Sequence, residues 1–187
     1  MSPFEYIVVL ISIILGLGIT IILTGVAELI KRWNTTNHFW PYLIWIAVVF
    51  VLHIQEWWAT YELRLIKSWS LPVFLFVILY PILLFILANL LFPAKWSAKG
   101  VDIKEFYFLN CRKFFFCIVI FALISIIQNI HLVGYSYKEQ TIQFCVFVVF
   151  TIMLFRPTRN VYVHAFLSFV MLAIMIAGLF LTKNLME

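Results

Sequence analysis

Residues 6–27, YIVVLISIILGLGITIILTGVA, contain no charged side chain, and this stretch decides the fold class. A helix of that length rises about 33 Å at 1.5 Å per residue, enough to cross a hydrocarbon core about 30 Å thick. Setting the charged residues aside leaves five more stretches of the same kind: 33–55, 68–94, 114–137, 140–155 and 160–182. Four of them match the first in length. Residues 140–155 reach only about 24 Å as a helix and need snorkelling flanks or a locally thinned bilayer. The expectation is an all-α membrane protein, a six-transmembrane-helix bundle. It forms a single domain over 1–187, with spans of about 4–30, 39–60, 71–93, 106–133, 139–155 and 160–182.

Composition leads to the same class. The chain is 65% hydrophobic and 11% charged, where soluble domains carry about 25% charged residues. The segments outside the spans, chiefly 35–39, 61–70 and 93–113, are too small for a core of their own, so function belongs to the bundle or its two faces. The net charge of +5 is spread among residues that border the spans, which reads as orienting charge and not as a nucleic-acid surface. Lys and Arg accumulate in cytoplasmic loops. With the N-terminus outside, the inner loops hold Lys31, Arg32, Lys95, Lys99, Lys104, Arg112, Lys113, Arg156 and Arg159 against Arg64, Lys67, Lys138 and Lys183 outside. Both termini are therefore expected outside. Residues 1–5 lack the basic n-region of a signal peptide, so the first span is expected to remain as an anchor. Cys111, Cys117 and Cys145 form no CxxC and no zinc spacing, and read as small apolar residues in helices.

Within the spans, small residues recur every fourth position at Ser12, Gly16, Thr20 and Thr24. Association of helices in lipid depends on close backbone approach along such faces, so this is a packing face, either inside one bundle or between subunits of a homo-oligomer. Gly18 and Gly25 open a second narrow face. Trp33, Trp40, Trp57 and Trp58 suit the two interfaces of the second span, and Pro41 suits its first turn. Pro81 predicts a bend in the third span. Asp102 with Glu105 predicts a capped start that carries the fourth helix beyond the bilayer.

Ionisable groups at membrane depth are expensive and are the best functional evidence in the chain. His53 and Glu56 lie near the outer end of the second span, and Gln128, Asn129 and His131 near that of the fourth; Glu5 and Gln143 fall in the same layer. These seven residues predict either an outward-facing polar pocket or a set of interhelical hydrogen bonds. A dimetal carboxylate bundle needs two Glu-x-x-His motifs and two further Glu, whereas this chain has a single reversed His-x-x-Glu, so no metal or other cofactor is expected. His38 and His164 read as interface residues. Lys95, Lys99, Lys104, Arg112, Lys113, Arg156 and Arg159 form a basic inner face suited to anionic lipid or to a soluble cytoplasmic partner. Nucleophile triads and phosphate loops are missing, and catalysis is not expected.

The opening FEYIVVLISIILGLGIT, with WPYLIW and HIQEWW in the second span, resembles a group of small bacterial multi-pass integral membrane proteins that carry no assigned activity. The resemblance implies a bacterial cytoplasmic membrane as the home. Three functional readings follow: a non-enzymatic protein that binds or passes a small solute or ion, a sensor or effector subunit that recruits a partner on its basic face, and a membrane redox or lipid-modifying enzyme.

Overall fold

The computed structural model describes residues 3–66, 68–96 and 100–181, with the side chains of Pro3 and of 179–181 left aside. Lys67, Lys99 and Lys183, counted above, lie outside the described residues, as does the end of the last predicted span at residue 182.

The described residues form six α-helices: α1 (Pro3–Lys31), α2 (Trp40–Ala59), α3 (Leu71–Leu91), α4 (Ile103–Gln128), α5 (Thr141–Phe155) and α6 (Val161–Leu181). Among the described residues five segments are long and apolar enough to cross a membrane: Phe4–Lys31, Trp40–Leu65, Leu71–Leu91, Ile103–Val133 and Val161–Gly178. The shorter apolar helix α5 rises only about 22 Å. Each start has a local cause. Pro41 and Pro72 occupy the first turns of α2 and α3, where their missing N–H groups cost nothing. The Asp102 carboxylate accepts the backbone N–H of Glu105 at 3.0 Å and caps α4, which begins at Ile103, three residues before the predicted start of that span. That cap holds the Asp102 carboxyl below its ordinary value. Pro81 is buried inside α3, which remains one helix through it. α4 ends in a turn of π-helix, Asn129–Val133, closed by Gly134 in the left-handed conformation at φ 85°.

Helix α2 organises the assembly, packing on α1, α3, α4 and α6; α1 also packs on α3, α3 on α4, and α4 on α5. At one end the α1–α2 and α3–α4 connections are stitched together. The Asn37 N–H donates to Val101 O and the Ile103 N–H to Asn37 O, at 3.4 and 3.3 Å. Gly100, at φ 92°, sits against the Thr35 carbonyl, where a Cβ has no room. This end carries Lys31, Arg32, Lys95, Lys104, Arg112, Lys113, Arg156 and Arg159. At the opposite end the turns after α2 and α4 meet, where the Tyr135 hydroxyl donates to the Glu62 carboxylate at 3.0 Å. Burial and that carboxylate push the Tyr135 phenol up to about 12.

An aromatic layer fills the core toward the basic end. Trp45 packs edge-on against Phe114 and Phe150, with centroids 5.1 and 5.8 Å away, and Phe115 lies 5.2 Å from Phe150. Pairs of this geometry contribute about 0.5–1.5 kcal/mol each beyond their area.

Candidate polar site in the second and fourth helices

The seven polar residues are distributed over several contacts. His53 is fully buried, and its Nδ1–H donates to Val49 O at 2.7 Å. A carbonyl only accepts, so this bond places the proton on Nδ1 and leaves a lone pair on Nε2. Nε2 has no hydrogen-bond partner and presses against Gly18 of α1, where a side chain of any size has no space. The second narrow face of α1 is thus the seat of an imidazole. Gly25 performs the same service for the ring of Phe92, at the end of α3.

One turn further along α2, Glu56 has a different environment. It interacts electrostatically with the Tyr80 phenol on α3, which in turn interacts with the Ser125 hydroxyl on α4. No cation lies at ion-pair distance from Glu56 among the described residues. His53 therefore addresses α1 while Glu56 addresses α3, although three-residue spacing puts both on one side of α2.

The amides connect helices to one another. Gln128 Nε2 donates to Phe76 O on α3 at 2.8 Å, and Asn129 Nδ2 to the buried Gln140 Oε1 at 3.0 Å. Gln55, adjacent to Glu56 and outside the predicted set, donates to Met175 O on α6 at 3.0 Å. His131 and Glu5 are exposed and Gln143 is half-buried. Phe4, beside Glu5, meets the Tyr61 ring edge-on.

His164 differs from its sequence reading as an interface residue. It is buried between aromatic rings, stacked on Phe115 and edge-on to Tyr107 and Phe108. Its Nε2–H donates to Thr158 O at 2.8 Å, so Nδ1 is the acceptor for the Tyr107 hydroxyl, also at 2.8 Å. Both ring nitrogens are satisfied, which makes burial affordable. His38 stays exposed and stacks on Trp33 at 3.8 Å.

Of the small-residue face, Gly16, Thr20 and Thr24 are exposed and Ser12 is half-buried; the bundle's own contacts use the Gly18 and Gly25 side of α1 instead. On the basic face Lys95, Lys104, Arg112, Lys113, Arg156 and Arg159 are all exposed. Among the described residues no three His, Cys, Asp or Glu side chains are grouped to hold a metal ion. No protein family, curated protein or solved structure matches the chain.

The sequence reading did not single out Tyr80, Ser125, Gln140 or Tyr107 as polar partners. Tyr80 and Ser125 sit among apolar residues with no spacing that links them to Glu56. Only the packing of α3 and α4 onto α2 does so.

Proposed function

We propose that the chain is a non-enzymatic multi-pass protein of a bacterial cytoplasmic membrane that binds or passes a proton or a small hard cation in the outer half of its bundle. In this reading all six helices cross the bilayer, α5 with local thinning, and both termini face outward. One observation carries it: Glu56, a carboxyl group inside a membrane-length helix, interacts with the Tyr80 phenol, which is itself hydrogen-bonded to Ser125, and has no cation at ion-pair distance among the described residues. A carboxylate at membrane depth marks an ion or proton pathway by default, and a carboxylate with hydroxyl oxygens is the donor set of a hard cation. His53, one turn away with a buried Nε2 that has no hydrogen-bond partner, is the second group of that pathway.

Proteoliposomes containing the full chain, tested for uptake of protons, Na⁺ and K⁺ under an imposed gradient, provide the test. Glu56→Gln is expected to reduce flux at least tenfold with assembly unchanged, and His53→Ala to change it severalfold. Equal flux in wild type and Glu56→Gln overturns the reading.

A second reading is favoured by the exposure of six basic residues at one end. It makes the protein a homo-oligomeric sensor or effector subunit that recruits an acidic cytoplasmic partner there. Reversal of Lys104, Arg112 and Lys113 to Glu then abolishes recruitment and leaves ion flux untouched.

A further inference from the structure

Helices α2, α3 and α4 border a cavity of about 10 Å³ near the basic end, lined by Tyr42, Trp45, Leu91, Tyr107, Cys111 and Phe114, among others. Room of that order takes about one water molecule. Most of the wall is apolar, so its few polar atoms decide what sits inside. The Trp45 side chain is buried, and among the described residues its Nε1–H has no hydrogen-bond partner. The Tyr107 phenol interacts with the indole but does not meet the N–H at hydrogen-bond geometry. A buried donor in that condition costs its full desolvation penalty, and native proteins rarely leave one so. The hydroxyl and thiol hydrogens on the same wall are spent. Tyr42 donates to Leu91 O at 2.7 Å, Tyr107 to His164 Nδ1 at 2.8 Å and Cys111 Sγ to Phe108 O at 3.3 Å. The two phenol oxygens are left as acceptors and the indole as a donor. An anion would meet those acceptors and a cation would meet the indole N–H. Water accepts and donates, and so matches both.

We infer that this cavity is the binding site of a single structural water, which accepts from Trp45 Nε1–H and donates to the phenol oxygens of Tyr42 and Tyr107. Tyr107 passes its own hydrogen to His164, and His164 passes its Nε2–H to Thr158 O. The water extends that chain from α6 and α4 to α2, and through Tyr42 and Leu91 to the end of α3. It ties four helices together at the basic end. The site is separate from Glu56 and stands or falls apart from ion flux.

The test is NMR of the full-length chain in detergent, with isotope-labelled indole nitrogens and the Trp45 signal assigned by its loss in Trp45→Phe. A cross-peak between the Trp45 indole proton and a long-lived water is expected. Cys111→Val, which adds a methyl group to the cavity wall, should weaken it at least fivefold while the indole signal remains. Tyr107→Phe should retain it, because Trp45 and Tyr42 still hold the water. Loss in that variant would trace the signal to an exchanging phenol hydroxyl and overturn the inference. A cross-peak of wild-type strength in folded Cys111→Val overturns it as well. So does a wild-type indole proton shifted upfield with no water cross-peak, since the N–H would then rest on the ring of Phe114 or Phe150. Should a variant not fold, the wild-type spectrum decides alone.

Discussion

The imidazole of His53 occupies the space in which a Cβ of Gly18 would stand, so the approach of α1 to α2 at this level depends on a glycine facing a histidine. In a membrane-spanning bundle, where apolar contact with lipid is as favourable as contact with protein, such close approach is a main source of helix association.

Gly18→Ala is therefore expected to separate α1 from α2 locally and lower stability by about 1–3 kcal/mol, the usual cost of overpacking. Thermal unfolding in detergent measures it. Adding His53→Ala should restore most of the loss, because the double variant removes the collision. A loss that the second substitution leaves unchanged would mean that the alanine acts elsewhere.

The Tyr107–His164–Thr158 chain is closed at every link. Tyr107→Phe deletes the donor and leaves His164 Nδ1 buried with a lone pair, at a cost of about 1–3 kcal/mol. His164→Phe on the Tyr107→Phe background should recover part of that cost, since an apolar ring suits the cage of Phe108 and Phe115. Equilibrium unfolding of the single and double variants checks the coupling.

Gly100→Ala meets two obstacles at once, a φ of 92° that L-residues rarely adopt and the Thr35 carbonyl in the path of its Cβ. The bridge between the two connections at the basic end is expected to open. Hydrogen exchange at the Asn37 and Ile103 amides, whose bonds form that bridge, should rise at least tenfold while exchange within α3 stays unchanged.

The Asp102 carboxyl is depressed below its ordinary value of about 3.9, chiefly by the Glu105 N–H. A depressed carboxyl contributes stability that is complete above its unfolded pKa and is lost as pH falls through the folded one. Protection of the first turn of α4 should accordingly weaken below about pH 4. Asp102→Asn keeps a capping oxygen and should flatten this dependence, whereas Asp102→Ala should remove the protection at every pH.

Much of the molecule was legible in the chain itself because lipid imposes a simple rule. Backbone polar groups must be satisfied within each segment, so a charge-free stretch of the right length is a helix. Hence residues 6–27, the first-turn Pro41 and the Asp102 cap were all readable. The polar layer was legible only as a depth. Helical spacing put His53 and Glu56 on one side of α2, but their partners come from different helices: Gly18 from α1, Tyr80 from α3 and Ser125 from α4. His164 was misread for the same reason, since nothing local to it announces Tyr107, 57 residues earlier. The stretch Ser12, Gly16, Thr20 and Thr24 carried a packing signal that the chain's own helices leave largely unused. The sequence by itself determined how many apolar helices the described residues hold and, to within three residues, where each begins, because those follow from local hydrogen bonding and burial in lipid. Which face of each helix turns inward, and which polar group meets which, was decided only by tertiary packing, because apolar surface has no preference between a lipid and a neighbouring helix.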